Sequence, residues 1–240
     1  MKRKNSMRKL YLARLVFRVV VLLMAVWFYC FRLEAFRVLE KGGFWERFSP
    51  LHLLWLVWVG DMLMQLIPAR RYMALGSEKQ FARYYRPAQA RADAREFLRK
   101  SAPGAVKVLV IWVGLTLALG ILHWTGVLGR EEMFLCVCFF YVSDLICVLF
   151  WCPFRVFWMK NRCCTTCRIF NWDHMMMFSP FLFLPGGYTW SLAGLAMVIL
   201  VLWEVRLYRH PERFWERTNG ALSCGACTDH LCGRRQTRAV

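Results

Sequence analysis

The sequence predicts an all-α fold: a polytopic helical membrane bundle of about six transmembrane segments, the fifth readable as re-entrant. Three observations predict it. The hydrophobic fraction is 58%, above the roughly 45–50% of soluble domains. The formal net charge is +18, from 33 Lys and Arg against 15 Asp and Glu. The apolar residues gather in blocks of near membrane-spanning length. A chain this apolar and this basic has to keep the two properties apart. That excludes a disordered chain, a secreted disulfide mini-domain and an ordinary soluble enzyme.

A bilayer core about 30 Å thick needs roughly 20 mostly apolar residues in a helix. The first candidate span is Leu15–Phe31, with Arg18 near its start expected to snorkel to the headgroups. Its basic flank and apolar run imitate a secretory signal. The run ends in Trp27-Phe28-Tyr29-Cys30-Phe31-Arg32 with no small-residue cleavage site, so it reads as an uncleaved anchor. The second span is Leu51–Pro68, and the third and fourth, Val108–Leu128 and Met133–Phe154, are the clearest. A last apolar block is interrupted by Pro185-Gly186-Gly187, a strong turn signal. It divides into Ile169–Leu184 and Tyr188–Tyr208. Asn171, Asp173, His174 and Pro180 weaken the first of these, which is why it reads as re-entrant.

Cytoplasmic loops retain Lys and Arg. Basic residues crowd the N-terminus, the loop 69–105, the segment 155–168 and the tail, whereas the loop 129–132 holds only Arg130. The pattern predicts a multi-pass protein of a cell inner membrane with both termini cytoplasmic. One integrated unit, residues 1–208 with the basic loop 69–105, would carry a Cys-rich tail, 209–240, packed against 155–168. In the loop, Ser77-Glu78-Lys79-Gln80 has capping-box spacing, giving a short helix to about Arg86. A second helical stretch is expected at Ala88–Lys100. Arginines interleaved with Phe81, Tyr84, Tyr85 and Phe97 suit a headgroup surface, so anionic lipids and a protein partner are the expected contacts rather than nucleic acid. Phe44-Trp45-Glu46-Arg47 recurs as Phe214-Trp215-Glu216-Arg217, which is too short to count as a repeat.

Eleven cysteines fall into two classes. Cys30, Cys136, Cys138, Cys147 and Cys152 lie in or beside spans, where a free thiol packs as a small hydrophobe. Cys163-Cys164-Thr165-Thr166-Cys167 and the run from Cys224 to Cys232 each contain C-x-x-C. Two such knuckles make a four-thiolate shell suited to zinc or an iron–sulfur cluster. The expected metal ligands are Cys164, Cys167, Cys224 and Cys227, with Cys163 and Cys232 in reserve. They meet only if the chain between them returns to the same face. The reducing cytosol favours ligation over disulfides, and a thiol redox site is the neighbouring alternative. On this reading the protein carries a cytoplasmic Cys-ligated metal centre, structural or electron-transferring.

The competing reading rests on intramembrane charge. Asp61 and Asp144 lie ten and eleven residues into spans that both run inward. At 1.5 Å per residue they share a depth, about 15 Å from the outer edge. Such a pair suits a cation or a relayed proton in a small transporter component. It also suits a plain polar lock between helices. A third reading is a membrane assembly or interaction protein. His52 and His123 read as satisfied interfacial residues, Asp173 or His174 as a neighbour or spare ligand of the knuckle, and Glu204 as a local partner of Arg206. Met175, Met176 and Met177 read as gap-filling. Walker, dinucleotide, G-x-S-x-G, H-E-x-x-H, kinase and C-x-x-C-H signatures are all missing from the sequence, so no reaction or catalytic residue is named.

Overall fold

The computed structural model describes residues 4–46, 48–67, 77–88 and 93–227. Among these the chain is helical, with no strand ladder. Its one β-bridge joins Pro87 to Asn219. Four helices are long and apolar enough to cross a membrane: α1 (Lys4–Phe31), α4 (Ala94–Trp124), α5 (Arg130–Leu149) and α7 (Gly187–Arg209). α3 (Pro50–Met64) is apolar but has 15 residues. Two shorter helices are α2 (Gly43–Glu46) and α6 (Asp173–Phe178).

Local chemistry explains the boundaries. Ser49 caps α3 and Pro50 opens it. The reciprocal bond of the capping box comes from His52, whose Nδ1 accepts from the Ser49 N–H at 3.0 Å. Its Nε2 then donates to the Phe44 carbonyl at 2.9 Å. Asp93 caps α4 by accepting from the Arg95 N–H at 3.0 Å. α4 ends where Gly126 takes φ +76, a left-handed position suited to glycine. There His123 bonds the Leu128 carbonyl. Both histidines are therefore satisfied locally. Glu131 and Glu132 sit in the first turn of α5, where carboxylates complement the helix dipole.

The expected break between a loop helix and the third span is not present. α4 runs unbroken through Pro103 from Ala94 to Trp124, so Val108–Trp124 of the expected third span is the upper part of a longer helix. At Gly104 a Cβ would lie 2.8 Å from the Trp158 carbonyl, so this glycine lets α4 approach the π-helical turn Phe154–Trp158. The loop region 77–88 holds two short 3-10 turns, Ser77–Gln80 and Ala82–Tyr84, in place of a single helix to Arg86.

The fifth segment also departs from expectation. In place of one helix over 169–184, three short pieces follow one another: Arg168–Trp172 (3-10), α6, and Ser179–Phe183 (3-10). Pro180 and the polar residues of the opening turns prevent a continuous helix. The pieces survive because they are packed in protein, with His174, Phe178, Phe181 and Leu184 all buried. Ser179 is held by Trp112 and Thr116 of α4 at 3.0 Å each. α1 and α5 pack antiparallel: Arg18 meets Asp144 while Tyr29 meets Glu132. Trp58 of α3 centres the core, its ring 5.2–6.4 Å from those of Phe134, Tyr141, Phe178 and Phe181.

The described part of the tail is anchored to the loop. Buried Asn219 donates to the Lys79 and Arg213 carbonyls and accepts from the Arg86 and Ala221 N–H groups. The Ala88 N–H adds a bond to the Thr218 carbonyl, and Trp215 stacks on Phe97 of α4. Phe214 meets Trp203 near the end of α7, while Phe44 meets Tyr188 at its start. The two Phe-Trp-Glu-Arg runs thus serve opposite ends of α7.

Candidate functional site

The site is a charged cluster within the apolar helices. Arg18 projects from the middle of α1. Its Nη1 donates to Asp144 of α5 at 2.6 Å and to the Tyr141 carbonyl at 2.6 Å. Its guanidinium carbon lies 4.1 Å from the centre of the Tyr141 ring, a cation–π contact. Its Nη2 faces Asp61 of α3 at 3.9 Å. The Arg18 side chain is only 12% exposed. The expected snorkelling does not occur: a carboxylate, a carbonyl and a ring face hold the guanidinium in the interior, and those partners replace the headgroups.

Asp61 and Asp144 both face Arg18, at 3.9 and 2.6 Å. A guanidinium in that place offsets one of the two negative charges and fills the space they face, so the carboxylates do not form an open cation cage. His174 completes the cluster. Its Nε2 lies 3.6 Å from Asp61 and its Nδ1 lies 3.2 Å from Asp173. Gln65 donates to the other Asp173 oxygen at 2.9 Å. Gln65 is 3% exposed, yet its Oε1 has no hydrogen-bond partner among the described residues. Such an orphan is costly in an interior. These groups line a cavity of about 280 Å³, to which Tyr11, Arg14 and Phe170 also contribute. That volume is large enough for several water-sized guests.

Asp173 and His174 belong to this cluster, not to a cysteine knuckle. Their sequence neighbourhood misdirected the reading, because they follow Cys167 closely in an irregular segment. The available signal was that a carboxylate and an imidazole in an apolar stretch need partners. Glu204 likewise finds distant partners. It accepts from Arg168 at 3.1 Å and from the Trp172 indole N–H at 2.7 Å. Arg206 lies over the Phe81 and Trp203 rings.

Among the described residues the expected cysteines are not gathered into one shell. Among the described residues no three His, Cys, Asp or Glu side chains are grouped so as to hold a metal ion. Cys167 is buried, Cys164 and Cys227 are partly buried, and Cys224 is exposed beside the loop–tail junction. Cys232 lies outside the described residues. Burial pushes the Cys164 and Cys167 thiols up to about 12, the reverse of what a ready thiolate ligand requires. Cys163 is partly buried and adjoins them.

The fold and the site define a helical protein with four helices able to cross a membrane and an ionic cluster inside them. No family model, curated protein or solved structure matches the chain.

Proposed function

We propose that the protein is a multi-pass membrane protein that conducts protons, with Asp61, His174 and Asp173 as the relay and the Arg18–Asp144 pair as its fixed counter-charge. The observation that carries this reading is the buried imidazole of His174 held between two carboxylates at 3.6 and 3.2 Å. Imidazole ordinarily titrates near pH ~6.5, and it can take a proton at one nitrogen while releasing one from the other. A proton reaching Asp61 passes to Nε2, leaves from Nδ1 to Asp173, and from there meets the Gln65 amide and the cavity. Arg18 stays charged throughout and faces the second carboxylate, Asp144, at 2.6 Å. A metal cation is a poorer cargo, because a guanidinium already occupies the space between Asp61 and Asp144.

In this reading α1, α3, α4, α5, the broken segment 168–183 and α7 make six crossings, the fifth shielded from lipid by its neighbours. Irregular backbone is tolerated at membrane depth when it is buried in protein. The basic residues of the loop and tail place the α1 N-terminus on the cytoplasmic side, against anionic lipids. The test is proton flux into proteoliposomes driven by a potassium diffusion potential and read with an entrapped pH dye. Asp61→Asn and His174→Gln should each lower flux at least tenfold while retaining the wild-type elution volume in detergent. Wild-type flux no higher than that of empty vesicles, or undiminished flux in His174→Gln, would defeat the proposal.

A further inference from the structure

Two acceptors one helical turn apart on α3 border the charged cavity, and neither receives a hydrogen bond among the described residues. Asp61 lies in α3, and Gln65 caps its C-terminus in helical conformation, φ −67 and ψ −19. Residues four apart on a helix share a face. The Asp61 side chain is 36% exposed. Its contacts with Arg18 and His174, at 3.9 and 3.6 Å, are ion pairs; an N–H···O hydrogen bond reaches only about 3.2 Å. Gln65 is buried, and its Oε1 is the orphan of the cluster. Turning the amide over brings no relief. Reversed, its oxygen would face an Asp173 oxygen at 2.9 Å, acceptor against acceptor.

The other charges around the cavity have partners. Arg18 donates to Asp144, while Asp173 is held by His174 and Gln65. Arg14 lies beside the Tyr11 ring. Three carboxylates thus line the cavity with two guanidiniums, and a neutral imidazole leaves one net negative charge. Phe17, Val57, Leu145, Val148 and Phe170 make the walls apolar. An apolar pocket with a few convergent polar groups is the usual form of a small-molecule site. A cavity of about 150 Å³ takes up benzene, so about 280 Å³ has room for a ring with a short chain.

We propose that this cavity binds a primary amine with an apolar body, its ammonium group bonded to the Asp61 carboxylate and the Gln65 amide oxygen. An ammonium brings three N–H donors and one positive charge, which are what the two acceptors and the lining lack. An alcohol of the same shape is a weaker guest, because charge-assisted hydrogen bonds are about twice as strong as neutral ones. A quaternary ammonium carries the charge but no N–H, and leaves the Gln65 oxygen unsatisfied. The apolar body lies against Phe17, Val148 and Phe170. The site shares Asp61 with the proton relay but rests on this geometry, not on proton movement.

The experiment uses the full chain in detergent near neutral pH, in equilibrium dialysis with tritiated 2-phenylethylamine, beside empty micelles. The expected result is saturable binding of one amine per chain. The N,N,N-trimethyl analogue and 2-phenylethanol should compete about tenfold more weakly. Asp61→Asn and Gln65→Leu should each weaken binding about tenfold, the loss of one hydrogen bond to a charged group, while retaining the wild-type elution volume. Val148→Phe keeps every polar group and fills the cavity, so it should abolish binding; it carries the test if a polar variant does not fold. Binding no greater than to empty micelles, equal competition by the trimethyl analogue, or undiminished binding in Val148→Phe would overturn the proposal. Absent binding with intact proton flux removes the amine site alone, and intact binding without flux removes the relay alone.

Discussion

Asp144→Asn tests the ionic cluster most directly. The substitution keeps the shape of the side chain and removes the charge that meets Arg18 at 2.6 Å. The guanidinium is 12% exposed and would keep Asp61, at 3.9 Å, as its carboxylate partner, beside the Tyr141 carbonyl and ring. Breaking a buried pair by removing one partner costs roughly 3–5 kcal/mol, because the other charge is left uncompensated. Asp144 is 26% exposed toward the cavity, and the remaining amide oxygen still accepts a bond, so the lower figure, about 3 kcal/mol, applies. For a chain of this size each kcal/mol moves the thermal midpoint by roughly 2–4 °C, so the loss should be about 6–12 °C. Asp61→Asn, whose carboxylate is farther from Arg18, should lose less. The assay is thermal unfolding in detergent for the wild type, Asp144→Asn, Arg18→Met and the double variant. The double variant should recover about 2 kcal/mol relative to additivity, within the range for contacting residues. Additive losses, or an Asp144→Asn shift under about 1 °C, would show that Arg18 does not depend on this carboxylate.

Other consequences follow from the packing. Gly104→Ala pushes a methyl group onto the Trp158 carbonyl and should cost about 1–3 kcal/mol. Gly114→Ala, with nothing within 4 Å of the new Cβ, should be neutral or gain up to about 1 kcal/mol; both are read by thermal unfolding. Asn219→Ala removes four hydrogen bonds, two between loop and tail and two within the tail, so trypsin should cut after Arg213 and Arg217 several-fold faster with the bundle intact. Alkaline pH should destabilise the fold. Cys164 and Cys167 are raised in the folded state, so their contribution is complete below the unfolded value near ~8.5 and falls as pH climbs towards about 12. Thermal midpoints should therefore decline above pH ~8.5, and Cys164→Ser should flatten the decline; an unchanged slope would contradict the burial argument.

The helical class and its longest apolar helices were legible because hydrophobic run length is a local property. That Asp61 and Asp144 lie similar distances along their helices was legible for the same reason, since helical rise converts position into height. Their shared partner was not. A lone arginine near a helix end reads as snorkelling, and only tertiary packing brings Asp144, 126 residues away, within 2.6 Å of it. His174 was hidden by an irregular segment whose stability comes entirely from its neighbours. The cysteine spacing gave two local turns but carried no information about the distance between them. Asn219 then ties the tail to residues 79–88 through bonds that no spacing rule anticipates.

The 126-residue separation also bears on how the protein is made. A ribosome adding roughly 5–20 residues per second completes Asp144 some 6–25 s after Arg18. During that interval an arginine at mid-helix carries a penalty of about 2.5–3.5 kcal/mol in lipid. α1 is thus completed well after it is synthesised. It stays provisional, sheltered by the insertion machinery or set shallow, until α5 arrives with the carboxylate that completes it.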